Sequence, residues 1–332
     1  MTTPDRPDDA PPPAGEPGRH YRDSLARALG REILAALADP DVTEVYLNPS
    51  GRVHLDTRSR GRVPTATFLP VERTTLFLNH VASRIATVLT AAHALLQAEL
   101  PPGEPFHGAR LQGIVPPNAS APSFNIRKPP AVVYTLDQYV RAGTLAAAHR
   151  RALAAAVRGR RNILIAGGTA SGKTTLVNAV LHEIAAACPR DRIVVLEDTV
   201  ELQCTAADCL ALRTSDHVRL RDLVKVALRT SPDRIVVGEV RDEAALDLLD
   251  AWQTGHPGGV ATLHANDPLS ALHRLDRLAQ RANAGPQADL VADAIHLVVM
   301  IAGGSAGRRV TQLAEVTGRD AGRYLLAPVP AA

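Results

Sequence analysis

Residues 162–182 read Asn162-Ile-Leu-Ile-Ala-Gly167-Gly-Thr-Ala-Ser-Gly172-Lys173-Thr174-Thr175-Leu-Val-Asn-Ala-Val-Leu-His182. Four residues separate Gly167 from Gly172-Lys173-Thr174, the spacing of a phosphate-binding loop. The flanks agree with it. Ile163 to Ala166 is a short apolar run that reads as a buried strand. Leu176, Val177, Val180, Leu181 and Ile184 then recur on one helical face. The glycines therefore fall between a strand and a helix, where such a loop belongs.

The physical reason is local. A helix start leaves backbone N–H groups unpaired and carries partial positive charge. Gly167 and Gly172 let the backbone curl without a Cβ clash, so the N–H groups of Gly168, Thr169, Ala170 and Ser171 turn inward around phosphate oxygens. Lys173 adds a full charge near the β- and γ-phosphates. The Thr174 hydroxyl is placed to ligate Mg²⁺, and Thr175 to reach the α-phosphate. ATP and Mg²⁺ are the ligands this pattern predicts. Ala170 stands where such loops usually carry Gly; if the position needs positive φ, Ala costs about 1 kcal/mol there.

The bulk numbers set the frame. The chain has 332 residues, enough for two domains. Hydrophobic content is 45% but aromatics are only 3%, so the cores must be built from Ala, Val, Leu and Ile. Net charge is +3, too mild to demand nucleic acid as a partner. With one Trp, four Phe and five Tyr, the chain also offers little for base stacking. That weighs against a nucleic-acid motor, the alternative reading of a nucleotide-driven machine. No stretch approaches the roughly 20 apolar residues of a membrane span. Met1 to Gly18 is rich in Pro and Asp without an apolar centre, unlike a secretory signal. A cytoplasmic protein is expected, peripheral at the inner face of a membrane through its partners. Cys188, Cys204 and Cys209 fit a reducing compartment and read as free buried thiols, although Cys204 and Cys209 are near enough in sequence to pair or share a metal.

Taken in order, residues 1–20 read as a disordered tail. Residues 21–128 form an N-terminal α/β domain. It opens with an amphipathic helix over Ser24–Ala38, carrying Leu25, Leu29, Ile33 and Leu37 at helical spacing. A hairpin follows, with strands Thr43–Leu47 and Arg52–Asp56 around Asn48-Pro49-Ser50-Gly51. The pattern predicts a second helix over Val71–Leu89 and strands over 95–100, 109–115 and 123–127. Residues 129–150 read as a linker from Pro129-Pro130, with helices over 136–143 and 145–158. In the second domain, 151–332, strands at 162–166, 192–196, 234–237, 259–263, 295–301 and 310–316 alternate with helices at 220–230 and 243–252. The fold class is α/β with a mostly parallel sheet in the second domain.

Three further stretches bear on chemistry. Arg234-Ile-Val-Val-Gly-Glu239-Val-Arg241-Asp242 is an apolar strand ending in an acidic residue. At the ligand edge of a parallel sheet, Glu239 would orient or deprotonate an attacking water; otherwise it is a solvated carboxylate. Arg192-Ile-Val-Val-Leu-Glu197-Asp198-Thr199 repeats that design. Its paired carboxylates suit Mg²⁺ or its waters, or else a capping Asp beside a surface Glu. His256 and His264 flank the next strand. A histidine at a strand end is placed to hydrogen-bond a γ-phosphate, but spacing alone favours core histidines. In the first domain Arg110 and Arg127 lie on sheet strands. They read either as solvated basic residues or as arginines that reach phosphate.

Together these stretches carry a resemblance. Gly167 to Thr175, Leu196-Glu-Asp-Thr-Val-Glu201, Pro232-Asp-Arg-Ile-Val-Val-Gly-Glu-Val-Arg241 and Thr254-Gly-His-Pro-Gly-Gly-Val-Ala-Thr-Leu-His-Ala-Asn266 resemble, in order, the Walker A, Asp box, Walker B and His box of the secretion and traffic ATPases. Arg110-Leu-Gln-Gly-Ile-Val-Pro-Pro117, Phe124-Asn-Ile-Arg-Lys128 and Tyr134-Thr-Leu-Asp-Gln-Tyr-Val140 narrow it to the TrbB-type conjugal-transfer ATPases of type IV secretion. The similarity runs from about Ser24 to Val316.

It implies a PAS-like N-terminal domain, a RecA-like P-loop ATPase domain and a ring-shaped homo-hexamer. It also implies work alongside inner-membrane secretion or conjugation components, with no need to bind nucleic acid. Glu239 becomes the catalytic acidic residue beside Lys173, Glu197 and Asp198 serve metal and water, and His264 senses the γ-phosphate. Arg110, Arg127, Arg241 and His256 join the nucleotide-binding set. The four-cysteine zinc module of type II secretion and pilus-extension ATPases is absent, whereas tight-adherence and pilus-retraction motors also lack it, so these stay as the alternative machines.

Overall fold

The computed structural model describes residues 16–129, 133–215, 217–282, 285–304 and 307–331. Apart from residues 16–20, the tail expected over 1–20 lies outside them. The chain forms two compact units, Met1–Ala131 and Val132–Ala332.

The first unit runs α1 (Glu16–Leu29), α2 (Arg31–Ala38), β1 (Val42–Leu47), β2 (Arg52–Thr57), β3 (Gly61–Phe68), α3 (Val71–Arg84), β4 (Leu95–Glu99), β5 (Arg110–Ile114) and β6 (Ser123–Arg127). Its strands pair antiparallel in the order β3-β2-β1-β6-β5-β4. The helix expected over 24–38 is two helices. Gly30, at φ 86, breaks it, and Leu25, Leu29, Ile33 and Leu37 still enter one core. Arg73 takes up carbonyls freed at the break, donating Nε–H to Ala28 O at 3.0 Å and a terminal N–H to Arg27 O at 2.8 Å. The second expected helix stops at Arg84, five residues early, because Ala86 turns to φ 56. Ile85 and Val88, counted as its apolar face, are exposed.

The second unit begins with α4 (Leu136–Arg141) and α5 (Ala147–Arg158). These occupy much of the stretch read as a linker. Leu136, Tyr139 and Leu145 are buried in the second unit's core, so helical packing starts before residue 151. Then come β7 (Ile163–Ala166), α6 (Lys173–Ala187), β8 (Ile193–Glu197), β9 (Cys209–Arg213), α7 (Leu220–Ala227), β10 (Arg234–Val237), α8 (Ala244–Gln253), β11 (Val260–Leu263), α9 (Pro268–Gln280), α10 (Ala288–Ala294), β12 (Leu297–Gly304), β13 (Gly307–Asp320) and β14 (Arg323–Pro328).

The sheet order is β14-β13-β12-β7-β11-β10-β8-β9. From β12 to β9 every pairing is parallel, and β13 and β14 add an antiparallel edge. Both faces are covered, which is why β7, β8, β10 and β11 are buried along their whole length. Alternate residues feed two cores. Leu164 and Ala166 pack with α7 to α10, while Ile163 and Ile165 pack with α4, α5 and α6.

Candidate active site

The sheet order decides which side chains meet. Parallel strands share one C-terminal edge, so β7, β11, β10 and β8 deliver the phosphate loop, His264, Glu239 and Glu197 to it in that sequence across the sheet. Glu239 is thus not on the strand next to the loop. β11 intervenes, and His264 fills the gap.

Gly172 caps α6 at φ 99, and the helix opens on Lys173, Thr174 and Thr175. A Cβ on Gly167 would overlap the Ile301 carbonyl, so the loop lies flush against β12 there. Ala170 does adopt positive φ, 58°, and carries the strain considered above. The Lys173 ammonium, almost buried, donates to Gly167 O at 3.0 Å and Gly168 O at 2.8 Å. The buried Ser171 hydroxyl has no partner among the described residues. This curled backbone, with its cation and orphaned hydroxyl, has the shape and charge expected of an anion cradle.

A relay of side chains leads away from Lys173. Its Nζ lies 3.3 Å from His264 Nδ1, and His264 Nε2 lies 3.3 Å from Glu239 Oε1. Burial and the Lys173 charge hold the His264 pKa below its usual value, with Glu239 pulling less strongly the other way. A neutral ring that accepts from Lys173 at Nδ1 and donates Nε2–H to Glu239 fits both contacts. Burial pushes the Glu239 pKa up. Its Arg241 hydrogen bond at 2.7 Å, with the charges of Arg241, His264 and Lys173, outweighs that and holds the carboxyl below the usual range. Arg241 also donates to Asp198 at 3.4 Å.

The third strand end behaves differently from the sequence reading. Glu197 Oε1 accepts the backbone N–H groups of Glu201 (2.9 Å) and Leu202 (2.8 Å), fixing the loop that follows. Burial pushes its pKa up to about 7, against those two hydrogen bonds. The carboxylate that meets the loop threonine is Glu201, whose Oε2 accepts from the Thr174 hydroxyl at 3.1 Å. Asn178 of α6 fixes the same segment by donating to Glu201 O and accepting from Gln203 N–H. Asp198, expected to share a metal with Thr174, instead holds the Thr214 hydroxyl and Arg241. Glu201 closes the quoted Leu196–Glu201 stretch, but nothing in its spacing marks it over its acidic neighbours.

His256 is not in the site. It precedes β11 and therefore sits at the opposite edge of the sheet, where Nδ1 contacts Pro232 O at 2.9 Å. Arg110 and Arg127 belong to the first unit, opposite each other in the β5–β6 register, with Arg127 3.6 Å from Glu44. The pocket built here is made of second-unit residues. All three cysteines are free. Cys188 and Cys204 are half-buried and Cys209 is exposed, so the expectation of buried thiols fails. No described group of three His, Cys, Asp or Glu side chains has the arrangement to hold a metal, and no helix among the described residues is long and apolar enough to cross a membrane.

Residues 28–302 match the family described as type II/IV secretion system protein. The chain is 43% identical over 300 residues to a probable conjugal transfer protein TrbB of Sinorhizobium fredii, covering 90% of this chain and 91% of that one. It is 31% identical over 324 residues to the type IV secretion system protein PtlH of Bordetella pertussis, covering 83% and 91%. Its fold matches the Yersinia pseudotuberculosis ATPase DotB at a TM-score of 0.61, with 16% identity over 90% of this chain and 79% of that one. The chain belongs to the type II/IV secretion system protein family, as a secretion ATPase of its TrbB-like, conjugal-transfer branch.

Proposed function

We propose that the second unit is a RecA-like motor core that hydrolyses ATP at the Gly167–Thr175 loop and drives conjugal DNA transfer or type IV secretion. The observation that carries the reading is the Lys173–His264–Glu239 relay beside an anion cradle with an orphaned hydroxyl. Lys173, bonded to the Gly167 and Gly168 carbonyls, offers its ammonium to the β- and γ-phosphate oxygens of ATP. The Ser171 hydroxyl and loop N–H groups take the remaining phosphate oxygens. Ionised Glu239, held by Arg241 and His264, orients the attacking water for in-line displacement. His264 reads the γ-phosphate, because a phosphate beside Lys173 competes for the cation that now faces its Nδ1.

The donor set suits Mg²⁺. The Thr174 hydroxyl and the Glu201 carboxylate are hard oxygens, and few protein ligands are needed where substrate phosphates supply the rest. When bound, Mg²⁺ would supply charge neutralisation for the substrate phosphates. Glu201 positions the Thr174 hydroxyl, and Glu197 keeps the Glu201 loop in place.

At the level of assembly, the reading is a ring-shaped homo-oligomer of six subunits, each with a PAS-like first unit. The ring sits at the inner face of the membrane against secretion or conjugation components.

Phosphate release and nucleotide binding test the core claim. Glu239→Gln should keep ATP affinity and lose roughly 10²–10⁴-fold in turnover. Undiminished turnover in that variant removes Glu239 from the mechanism. ATP-dependent sedimentation tests the ring, and an active monomer at all concentrations rules it out.

A further inference from the structure

A cavity of about 360 Å³ opens off the first half of the phosphate loop, at Gly167, Gly168 and Thr169. Its other walls include His264, Asn266, Arg274 and Arg277. The arginines are three residues apart on α9 and so share a helix face. Both are exposed, and neither has a hydrogen bond or ion pair among the described residues. The acidic groups nearby are engaged elsewhere. On α9 the Asp267 carboxylate caps the Ser270 N–H, and Asp276 accepts from the Gln287 N–H. Across the site, Arg241 holds Glu239 and Asp198. Two uncompensated guanidinium groups therefore border a cavity whose Gly167 and Gly168 wall is anchored by the Lys173 ammonium. The charge of Arg274 is felt at the His264 ring, where it adds to the effect of Lys173.

A cavity lined by cations, an amide and an imidazole, with no aromatic wall, suits a small oxyanion rather than a base or sugar. Guanidinium forks match tetrahedral oxyanions in geometry as well as charge. The cavity meets the loop at Gly167 and Gly168, whose carbonyls anchor the Lys173 ammonium, so an anion there would lie beside the phosphate loop.

We propose that this cavity is a second anion subsite that holds inorganic phosphate after cleavage, with Arg274 and Arg277 as its binding residues. The proposal rests on the ATPase reading for the origin of the phosphate, but the subsite itself is defined by phosphate binding alone. An arginine-lined exit would slow phosphate departure and make the order of product release adjustable by whatever presses on α9.

The test is titration of the full chain with inorganic phosphate, followed by calorimetry, with and without saturating ADP. The wild type should bind phosphate in both conditions, with sulfate competing. Arg274→Gln and Arg277→Gln should each weaken phosphate binding about tenfold, equivalent to about 1.4 kcal/mol, while the ADP dissociation constant shifts less than twofold. Arg277→Lys, which keeps the charge, should retain most of the phosphate affinity. It stands in if the Gln variants fold poorly. Phosphate affinity equal to wild type in both Gln variants overturns the proposal, as does a wild type that binds ADP but no phosphate alongside it. A chain that binds phosphate in an arginine-dependent way but never turns over ATP would sink the motor reading and leave the subsite standing.

Discussion

His256 and His264 lie eight residues apart on either side of β11, and they end at opposite poles of one sheet. The two poles are built on opposite principles. At the amino-terminal pole the groups around Asp191 and Asn162 are paired. The fully buried Arg234 donates to Asp191 (2.6 Å), Gly258 O (3.0 Å) and Val157 O (3.0 Å), and Arg160 holds the other Asp191 oxygen at 2.6 Å. Asn162 accepts from the N–H groups of Gly258 and Gly259 and donates to Ala294 O. His256 joins this network through Pro232. At the carboxy-terminal pole, Ser171 is orphaned, Lys173 rests on loop carbonyls, and Arg274 and Arg277 have no counter-ion among the described residues. Buried polar groups are normally satisfied, and the Ser171 hydroxyl beside Lys173 is, among the described residues, one that is not. One pole ties the sheet together; the other leaves cationic groups beside a cavity.

Breaking the paired pole should give the largest stability effect. Arg234→Ala leaves Asp191 half-paired and removes a donor from the Gly258 and Val157 carbonyls, and should cost about 3–5 kcal/mol in urea denaturation. A loss under about 1 kcal/mol would mean that the network is slack. The two histidines give the sharpest contrast. His264→Asn should lower turnover by roughly 10²-fold with little change in melting temperature. His256→Asn should cost about 1 kcal/mol of stability and leave turnover within about twofold. The reverse pattern would exchange the roles of the two poles.

Smaller effects refine the site pole. The folded-state pKa of Glu197 is raised from 4.5 to about 7 by burial. The folded chain therefore holds that proton more tightly than the unfolded one. The stability this supplies is complete below about pH 4.5 and is lost as pH rises through about 7. Glu197→Gln keeps an oxygen for the Glu201 and Leu202 N–H groups and cannot ionise. Its stability relative to wild type should rise between about pH 4.5 and 7 and level off above. A difference that stays flat with pH would show that Glu197 is not strained by burial. The smallest expected effect is at Ala170. Ala170→Gly relieves the positive φ and should recover about 1 kcal/mol, less the entropy Gly adds to the unfolded chain, with ATP affinity preserved.

The short apolar strands and the loop between β7 and α6 were legible because they are local: four or five buried residues, a glycine spacing and a helical period contain their own explanation. The elements missed were those whose signal is weak or whose partner is distant. β3, β9 and β14 are edge strands, and where β3 and β9 alternate it is only between exposed and half-buried positions, a weak signal in the residues themselves. α9 carries a readable start, with Asp267 capping, Pro268 in the first turn and Ser270 completing the box. Gly30 was absorbed into a helix because the apolar period continues in phase across the break. Ile85 and Val88 kept the period of α3 although the helix had ended.

By itself the sequence determined that a phosphate loop lies between a buried strand and a helix, and that two apolar strands end in acid. Those facts are written in neighbouring residues. Only the tertiary structure decided that β11 lies between the loop and Glu239, so that His264 bridges them while His256 is carried to the far edge. It also decided that Glu201, not Asp198, meets Thr174. Strand order and loop path are set by which faces of distant segments bury together, and no spacing within one segment records that choice.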